Sequence, residues 1–284
     1  MIVVTGATGQ LGRLVVEGLL KKVAPAEVVA AVRDPGKAAE FAARGVQVRR
    51  ADYDDPASLA AAFAGADKVL LISSSTPGGR LAQHEAVVTA AREAGVGHLA
   101  YTSVLYADTT KLSLAPDHKA TEEAIRASGL PFTFLRNGWY TENYAQTIGQ
   151  ALAVGSFAGA AGDGRLGAVP RLDFAEAAVE VLTGEGHEGQ VYELAGDEPF
   201  SYADLAAAVT AASGKEVTYQ NLTVEQYRKV LVGAGLPEPV AAMLADADRG
   251  IADGELASTS GDLSRLLGRP TTPLADAVTA LVKN

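Results

Sequence analysis

The stretch Ile2-Val3-Val4-Thr5-Gly6-Ala7-Thr8-Gly9-Gln10-Leu11-Gly12 stands at the head of the chain and sets its architecture. β-prone residues run straight into glycines at every third position. Leu11, Val15 and Leu19 then recur four apart, the stripe of an amphipathic helix. In a strand–turn–helix unit of this kind Gly6 permits a tight turn. Gly9 lets backbone N–H groups approach a pyrophosphate, and Gly12 lets the helix lie close to the sheet. The positive end of the helix dipole faces the same anion. Gly6, Ala7, Thr8, Gly9, Gln10, Leu11 and Gly12 are therefore expected to cradle a dinucleotide.

On either side of this motif the pattern repeats. Further β-like runs occur at 27–32, 46–50, 69–72, 98–102 and 132–135, and helical stripes such as Val87, Val88 and Ala91 fall between them. Several runs are almost wholly apolar, as in a parallel sheet covered on both faces. The expectation is an α/β fold of the Rossmann type, a doubly wound parallel sheet with strand order 3-2-1-4-5-6.

After Arg136 the alternation stops. Residues 155–167 read as an irregular Gly/Ala-rich connection, while a helix at 173–182 and a strand at 191–195 return the chain to the sheet. Beyond Asp197 the chain reads as mostly helical. Leu205 with Val209, Tyr227 with Val230 and Leu231, and Leu274 with Val278 and Leu281 mark buried helix faces. The predicted organisation is a nucleotide-binding domain over 1–137, rejoined around 173–196, and a smaller helical C-terminal substrate lobe over 138–284, with an interleaved boundary.

Composition narrows the chemistry. In 284 residues, 34 Asp and Glu against 24 Lys and Arg leave a formal charge of −10, which disfavours nucleic acid and anionic membrane surfaces as partners. With no cysteine there is no disulfide, thiolate nucleophile or iron–sulfur cluster, so redox chemistry needs a bound cofactor. The uncharged stretch 143–162 has the length of a membrane span but is too rich in Gly, Gln and other polar residues to insert well. No secretory signal is visible before the turn at Gly6, so the expected location is cytoplasmic. His84, His98, His118 and His187 are not spaced as metal ligands, and no Gly-x-Ser-x-Gly, His-Glu-x-x-His or Walker motif occurs. No metal is expected.

The second β-like run ends at Arg33, where an NAD-binding fold normally presents an acidic residue. Its guanidinium suits a 2′-phosphate, with Lys37 adding charge, which favours NADPH; Asp34 next door leaves an NAD-like arrangement open. Asp52 and Tyr53 end the third run, where they could meet the adenine, or Asp52 could cap a turn. Ser73, Ser74 and Ser75 end the fourth, where a small polar run can approach the ribose and diphosphate.

None of the nine tyrosines has a Lys four residues later. On the helix where a short-chain reductase often carries Tyr-x-x-x-Lys, His118 and Glu122 stand instead. Alcohol dehydrogenation and sugar epimerisation are thereby disfavoured. His118 is a candidate proton donor, with a capping or surface role equally open. A quinone acceptor suits the gap, because its reduction needs positioning more than a general acid. Leu135-Arg136-Asn137-Gly138-Trp139-Tyr140 places the single Trp at the carboxyl end of the sixth run. Trp139 and Tyr140 could wall a flat pocket, with Asn137 orienting a ligand and Tyr101, Tyr106 and Tyr144 adding aromatic surface. The same aromatics could instead seal the joint between the lobes.

Residues 4–12, Ala-Val-Arg-Asp-Pro at 31–35, Leu-Ile-Ser-Ser-Ser at 71–75, Leu-Arg-Asn-Gly-Trp-Tyr at 135–140, Gly-Ala-Ala-Gly-Asp-Gly at 159–164 and Tyr-Glu-Leu-Ala-Gly at 192–196 resemble the flavin-free NADPH:quinone oxidoreductases, type 2. These belong to the NmrA-like branch of atypical short-chain dehydrogenases. The similarity extends to 268–272. It implies NADPH held by Gly6 to Gly12, Arg33, Ser73 to Ser75, and Asn137, Gly138, Trp139, Tyr140, Thr141 and Glu142, with direct two-electron hydride transfer to a quinone and no flavin. The triphenylmethane dye reductases look like close cousins. A non-catalytic NADP(H)-binding redox sensor, as among NmrA-like regulators, is the other reading, and a homo-oligomer stays open.

Overall fold

In the computed structural model, which describes residues 1–74, 76 and 78–283, β1 (Ile2–Thr5) is buried at every position, as a strand covered on both faces requires. From it the chain alternates through α1 (Gln10–Leu19), β2 (Val28–Val32), α2 (Ala39–Ala43), β3 (Gln47–Arg50), α3 (Pro56–Phe63) and β4 (Lys68–Leu71). It continues through α4 (Arg80–Glu93), β5 (His98–Val104), α5 (Ala115–Ser128) and β6 (Phe132–Asn137). Then follow α6 (Ala145–Val154), β7 (Ser156–Gly159), α7 (Arg171–Thr183), β8 (Gln190–Leu194), α8 (Tyr202–Ser213) and β9 (Thr218–Asn221). The chain closes with α9 (Val224–Gly233), α10 (Glu238–Ala252), α11 (Asp262–Leu267) and α12 (Leu274–Lys283).

The main sheet has the order β3-β2-β1-β4-β5-β6-β8. The predicted 3-2-1-4-5-6 arrangement is present, with β8 added beyond β6. Pairings from β3 to β6 are parallel, so the carboxyl ends of those strands share one edge. Local chemistry sets the joints: Asp55 caps α3 through Ser58 N–H with Pro56 in the first turn, and Asp34 caps the short 3-10 turn Pro35–Ala38. One compact unit comprises 1–107, 116–137 and 174–192. Its core stacks Val3, Val29 and Leu71 of the sheet against Leu59, Phe63 and Val87 of the helices.

The other unit comprises 108–115, 138–173 and 193–284. Its core gathers Tyr144, Ile148, Phe157, Phe200, Tyr202, Leu205, Val209, Ile251 and Val278. Two expectations need correction here. Within 155–167 the chain is not irregular throughout, since β7 pairs in parallel with β9, Phe157 facing Tyr219. A four-residue strand whose partner lies some sixty positions away leaves almost no periodicity to read. The Tyr227, Val230 and Leu231 stripe is not a buried face either: α9 buries no residue, and Val230 is 48% exposed. Spacing shows that a helix has an apolar side, not that a thick layer covers it. Among the described residues no helix is long and apolar enough to cross a membrane.

Candidate active site

The carboxyl edge of the sheet begins with the glycine turn. Gly6 has φ +57°, the left-handed region that favours glycine, and its carbonyl accepts the Gly9 N–H at 2.8 Å. A Cβ on Gly12 would fall 2.3 Å from the Gly6 oxygen and 2.8 Å from the Ala7 Cα, so only glycine lets α1 start this close to the turn. The first turn of α1 has neither a capping side chain nor an acidic residue. Its N–H groups and the dipole are thus aimed, uncompensated, at the space above the loop, the donor set a diphosphate needs.

At the end of β2 Arg33 is exposed and makes no hydrogen bond or ion pair among the described residues. Asp34 is occupied, since its Oδ1 accepts the Gly36 N–H at 3.0 Å. The carboxylate that would favour a bare ribose is spent on a turn, while the cation beside it stays available. Asp52 likewise acts as a turn residue, accepting the Asp54 N–H at 3.2 Å. Tyr53 points inward: its hydroxyl reaches the Ile72 carbonyl at 2.8 Å and touches Thr5 Oγ1, and burial raises its pKa above the usual phenol value. It ties the β3 exit to β1 and β4.

The turn after β4 is held from beneath by a residue that the sequence reading left without a role. His84 on α4, fully buried, accepts the Ser74 N–H on Nε2 at 2.9 Å. A backbone N–H can only donate, so His84 must carry its proton on Nδ1, which lies 2.9 Å from Thr121 Oγ1; that hydroxyl in turn donates to the Asp117 carbonyl. Gln83 accepts the Ser74 hydroxyl proton and donates to Asp54, while Arg80 Nε donates to the Ser74 carbonyl at 2.7 Å. Ser73 and Ser74 are half-buried at this edge, and Ser73 N–H donates to Thr102 Oγ1. Ser75 lies outside the described residues. Nothing in residue spacing distinguishes His84 from a surface histidine, because its partners come from a turn and another helix.

Behind β5 two expectations fail. Tyr101 is fully buried, its hydroxyl 2.7 Å from His118 Nδ1 in a shared hydrogen bond, so it does not line an open substrate face. His118 is itself 4% exposed. Burial, then the nearby Arg80 and His84, push its pKa down to about 3, so it is a neutral imidazole at ordinary pH and not a protonated acid. Glu122 is bound on both oxygens by Arg136, Nε at 2.9 Å and Nη2 at 2.7 Å, and Ser103 donates to it at 2.6 Å. A closed ion pair thus replaces the tyrosine–lysine couple of a ketone reductase.

The segment after β6 is fixed by backbone. Asn137 is buried at the strand end and its carbonyl accepts the Leu105 N–H. Gly138 N–H donates to the Leu194 carbonyl, and a Cβ there would sit 3.0 Å from that oxygen. Tyr140 pairs with Val169, and the Arg171 guanidinium lies 4.6 Å over its ring. Thr141 is buried, and Glu142 accepts the Arg171 N–H at 3.0 Å. Trp139 and Tyr140 are half-buried. Tyr106, also half-buried, has a left-handed φ of 53°, unusual for a bulky residue. Tyr144 is buried. Among the described residues no cluster is suited to a metal ion.

A family model described as NAD(P)H-binding matches residues 6–185. The chain belongs to this NAD(P)H-binding family. Within it, the chain is 51% identical to Quinone oxidoreductase 2 of Escherichia coli, over 99% of this chain and 98% of that protein. The crystal structure of an NADPH-dependent quinone oxidoreductase from the same organism, complexed with NADPH, superposes with a TM-score of 0.97, covering 99% of this chain and all of the other. The Citrobacter sp. triphenylmethane reductase, complexed with NADP(H), is 43% identical with a TM-score of 0.95, over 99% of this chain and 100% of that one. The fold, the NAD(P)H-binding family and the likeness to a quinone oxidoreductase are those expected from the sequence.

Proposed function

We propose that this protein reduces quinones to hydroquinones with NADPH, by direct hydride transfer and without flavin. The carrying observation is the closed Glu122–Arg136–Ser103 cluster, which occupies the place of an acid–base couple and leaves an enzyme built to position its reactants. The full-length likeness to an E. coli quinone oxidoreductase supports the same acceptor. When bound, NADPH supplies the hydride. The chain supplies the rest: Gly6 to Gly12 receive the diphosphate, Arg33 pairs with the 2′-phosphate, Ser73 and Ser74 approach the ribose from a turn braced by His84, and Trp139 and Tyr140 offer flat walls to a planar acceptor. The test is mixing purified protein with NADPH and a benzoquinone. Loss of the reduced-nicotinamide absorbance, with hydroquinone formed in equal amount, is expected; no turnover with any simple quinone defeats the reading. The likeness to a triphenylmethane reductase favours a second activity on triphenylmethane dyes, assayed in parallel by bleaching of the dye.

A further inference from the structure

The hydride chemistry leaves a buried carboxylate on α10 unused. Asp248 is 3% exposed. Its neighbour Arg249 turns to Asp246, Asp253 and Glu255, and no cation pairs with Asp248 among the described residues. One oxygen accepts the Ala160 N–H at 2.6 Å and the other accepts the Tyr202 hydroxyl at 2.5 Å. The Tyr202 hydroxyl lies 3.2 Å from that of Tyr144. A Cβ on Gly159 would fall 2.7 Å from the Tyr202 ring and 2.9 Å from the Asp248 carboxylate, so β7 passes here only as glycine. Tyr219 on β9 and Tyr227 on α9 lie near enough that, after burial, the Asp248 charge raises their pKa values. Beyond Tyr144, the Trp139 indole N–H is buried without a hydrogen-bond partner among the described residues, and Trp139 lowers the Tyr144 pKa slightly against the burial that raises it.

A buried carboxylate with no counter-ion is costly, and a line of hydroxyls leading from it to an unsatisfied N–H donor has the form of a conduit. We propose that Asp248, Tyr202 and Tyr144 form a proton relay ending at the quinone oxygen, with the Trp139 N–H steadying the charge that develops there. This rests on the quinone reading above. Hydride transfer oxidises NADPH by two electrons and leaves one quinone oxygen anionic. The Tyr144 O–H bond breaks as the new substrate O–H forms; Tyr144 takes a proton from Tyr202, Tyr202 takes one from the Asp248 carboxyl, and solvent restores Asp248. One hydride and one proton are consumed per hydroquinone. Burial raises the Asp248 pKa to about 6, which keeps a protonated fraction at hand near neutrality.

The test compares the wild-type enzyme with Asp248→Asn and Tyr202→Phe, using NADPH and benzoquinone. In the wild type, kcat should fall as pH rises through about 6 and should carry a solvent deuterium isotope effect. Both variants should lose roughly a hundredfold in kcat, with a flat pH profile and no isotope effect, while the KM values hold; the thermal midpoint drops as expected for one lost buried hydrogen bond. In the protein without ligands, a carboxyl infrared band should titrate near pH 6 and vanish in Asp248→Asn. Variants that keep the wild-type profile and isotope effect, or absence of the band, overturn the relay. Wild-type protein that turns over no quinone overturns the quinone reading and the relay together, whereas normal turnover in Asp248→Asn overturns the relay alone. If Asp248→Asn does not fold, Tyr202→Phe, which keeps the packed ring, decides.

Discussion

Arg33 and Asp34 show how folding separates two neighbours that stand as equals in the sequence. In sequence the pair reads both ways, because a carboxylate and a guanidinium stand side by side at the end of β2. In the fold Asp34 closes a turn on Gly36, and only Arg33 remains available to a ligand. Hydrogen bonds to charged groups contribute about 1.5–3 kcal/mol, so Arg33→Ala should weaken NADPH roughly ten- to hundredfold. NADH, lacking the 2′-phosphate, should bind as before. Calorimetric titration with both coenzymes checks this, and equal losses would place the phosphate elsewhere. Tyr101 teaches the reverse lesson. An aromatic near the end of a strand can face either side, and the run His98 to Thr102, buried on both faces, has no clean apolar–polar contrast to say which.

Among the elements, those legible in advance were the ones with internal contrast. β1, β2 and β4 are largely apolar runs cut by turn residues, and α1 carries its stripe beside the glycines that need it. The elements missed or misread depend on something outside themselves. β7 and β9 exist because each meets the other, and α9 has an apolar side left exposed on Val224, Val230 and Val232. The binding loop was legible because backbone geometry demands glycine there. The support behind it, His84 under Ser74 and Glu122 between Arg136 and Ser103, was not, since polar residues from separate elements meet only after folding. The pairing of α5 with β6 through Glu122 and Arg136, side chains 6% and 7% exposed, makes a sharp prediction. Glu122→Gln takes the Glu122 charge away from a buried guanidinium and should cost roughly 3–5 kcal/mol in urea unfolding. Replacing both residues together with Leu and Met should recover most of that loss, because two buried charges are then removed at once.

Across the whole molecule, the buried His84 and His118 of one unit and the buried Asp248 of the other respond to acid in opposite directions. In the first, burial lowers the pKa of His84 to about 4 and that of His118 to about 3, from an ordinary 6.5. Their native forms hold fewer protons than the unfolded chain, so stability is full above 6.5 and is lost as pH falls through those values. In the second, Asp248 is raised from 3.8 to about 6, so its native form holds more protons. Its contribution is full below the unfolded value and is lost as pH rises through about 6. Hydrogen exchange at a series of pH values, corrected for intrinsic rates, should show protection in α4 and α5 falling on acidification; in α10, where the lowered pKa of Asp246 acts the other way, the difference between wild type and Asp248→Asn isolates a contribution that grows as pH falls. A difference that shrinks on acidification would contradict the assignment of Asp248.

The interleaving of the chain bears on how the protein can be made. A nascent polypeptide leaving the ribosome presents six of the seven main-sheet strands early, yet the seventh, β8, follows only after α6, β7 and α7 have been synthesised. Until then the β6 margin is a row of unmated amides and carbonyls, an invitation to pair with any neighbouring strand. A fragment ending at residue 137 should therefore self-associate in sedimentation where the full chain does not do so through that margin. The late-born strand is in effect a built-in guard, and the growing chain is at its most vulnerable to aggregation in the interval before that strand emerges.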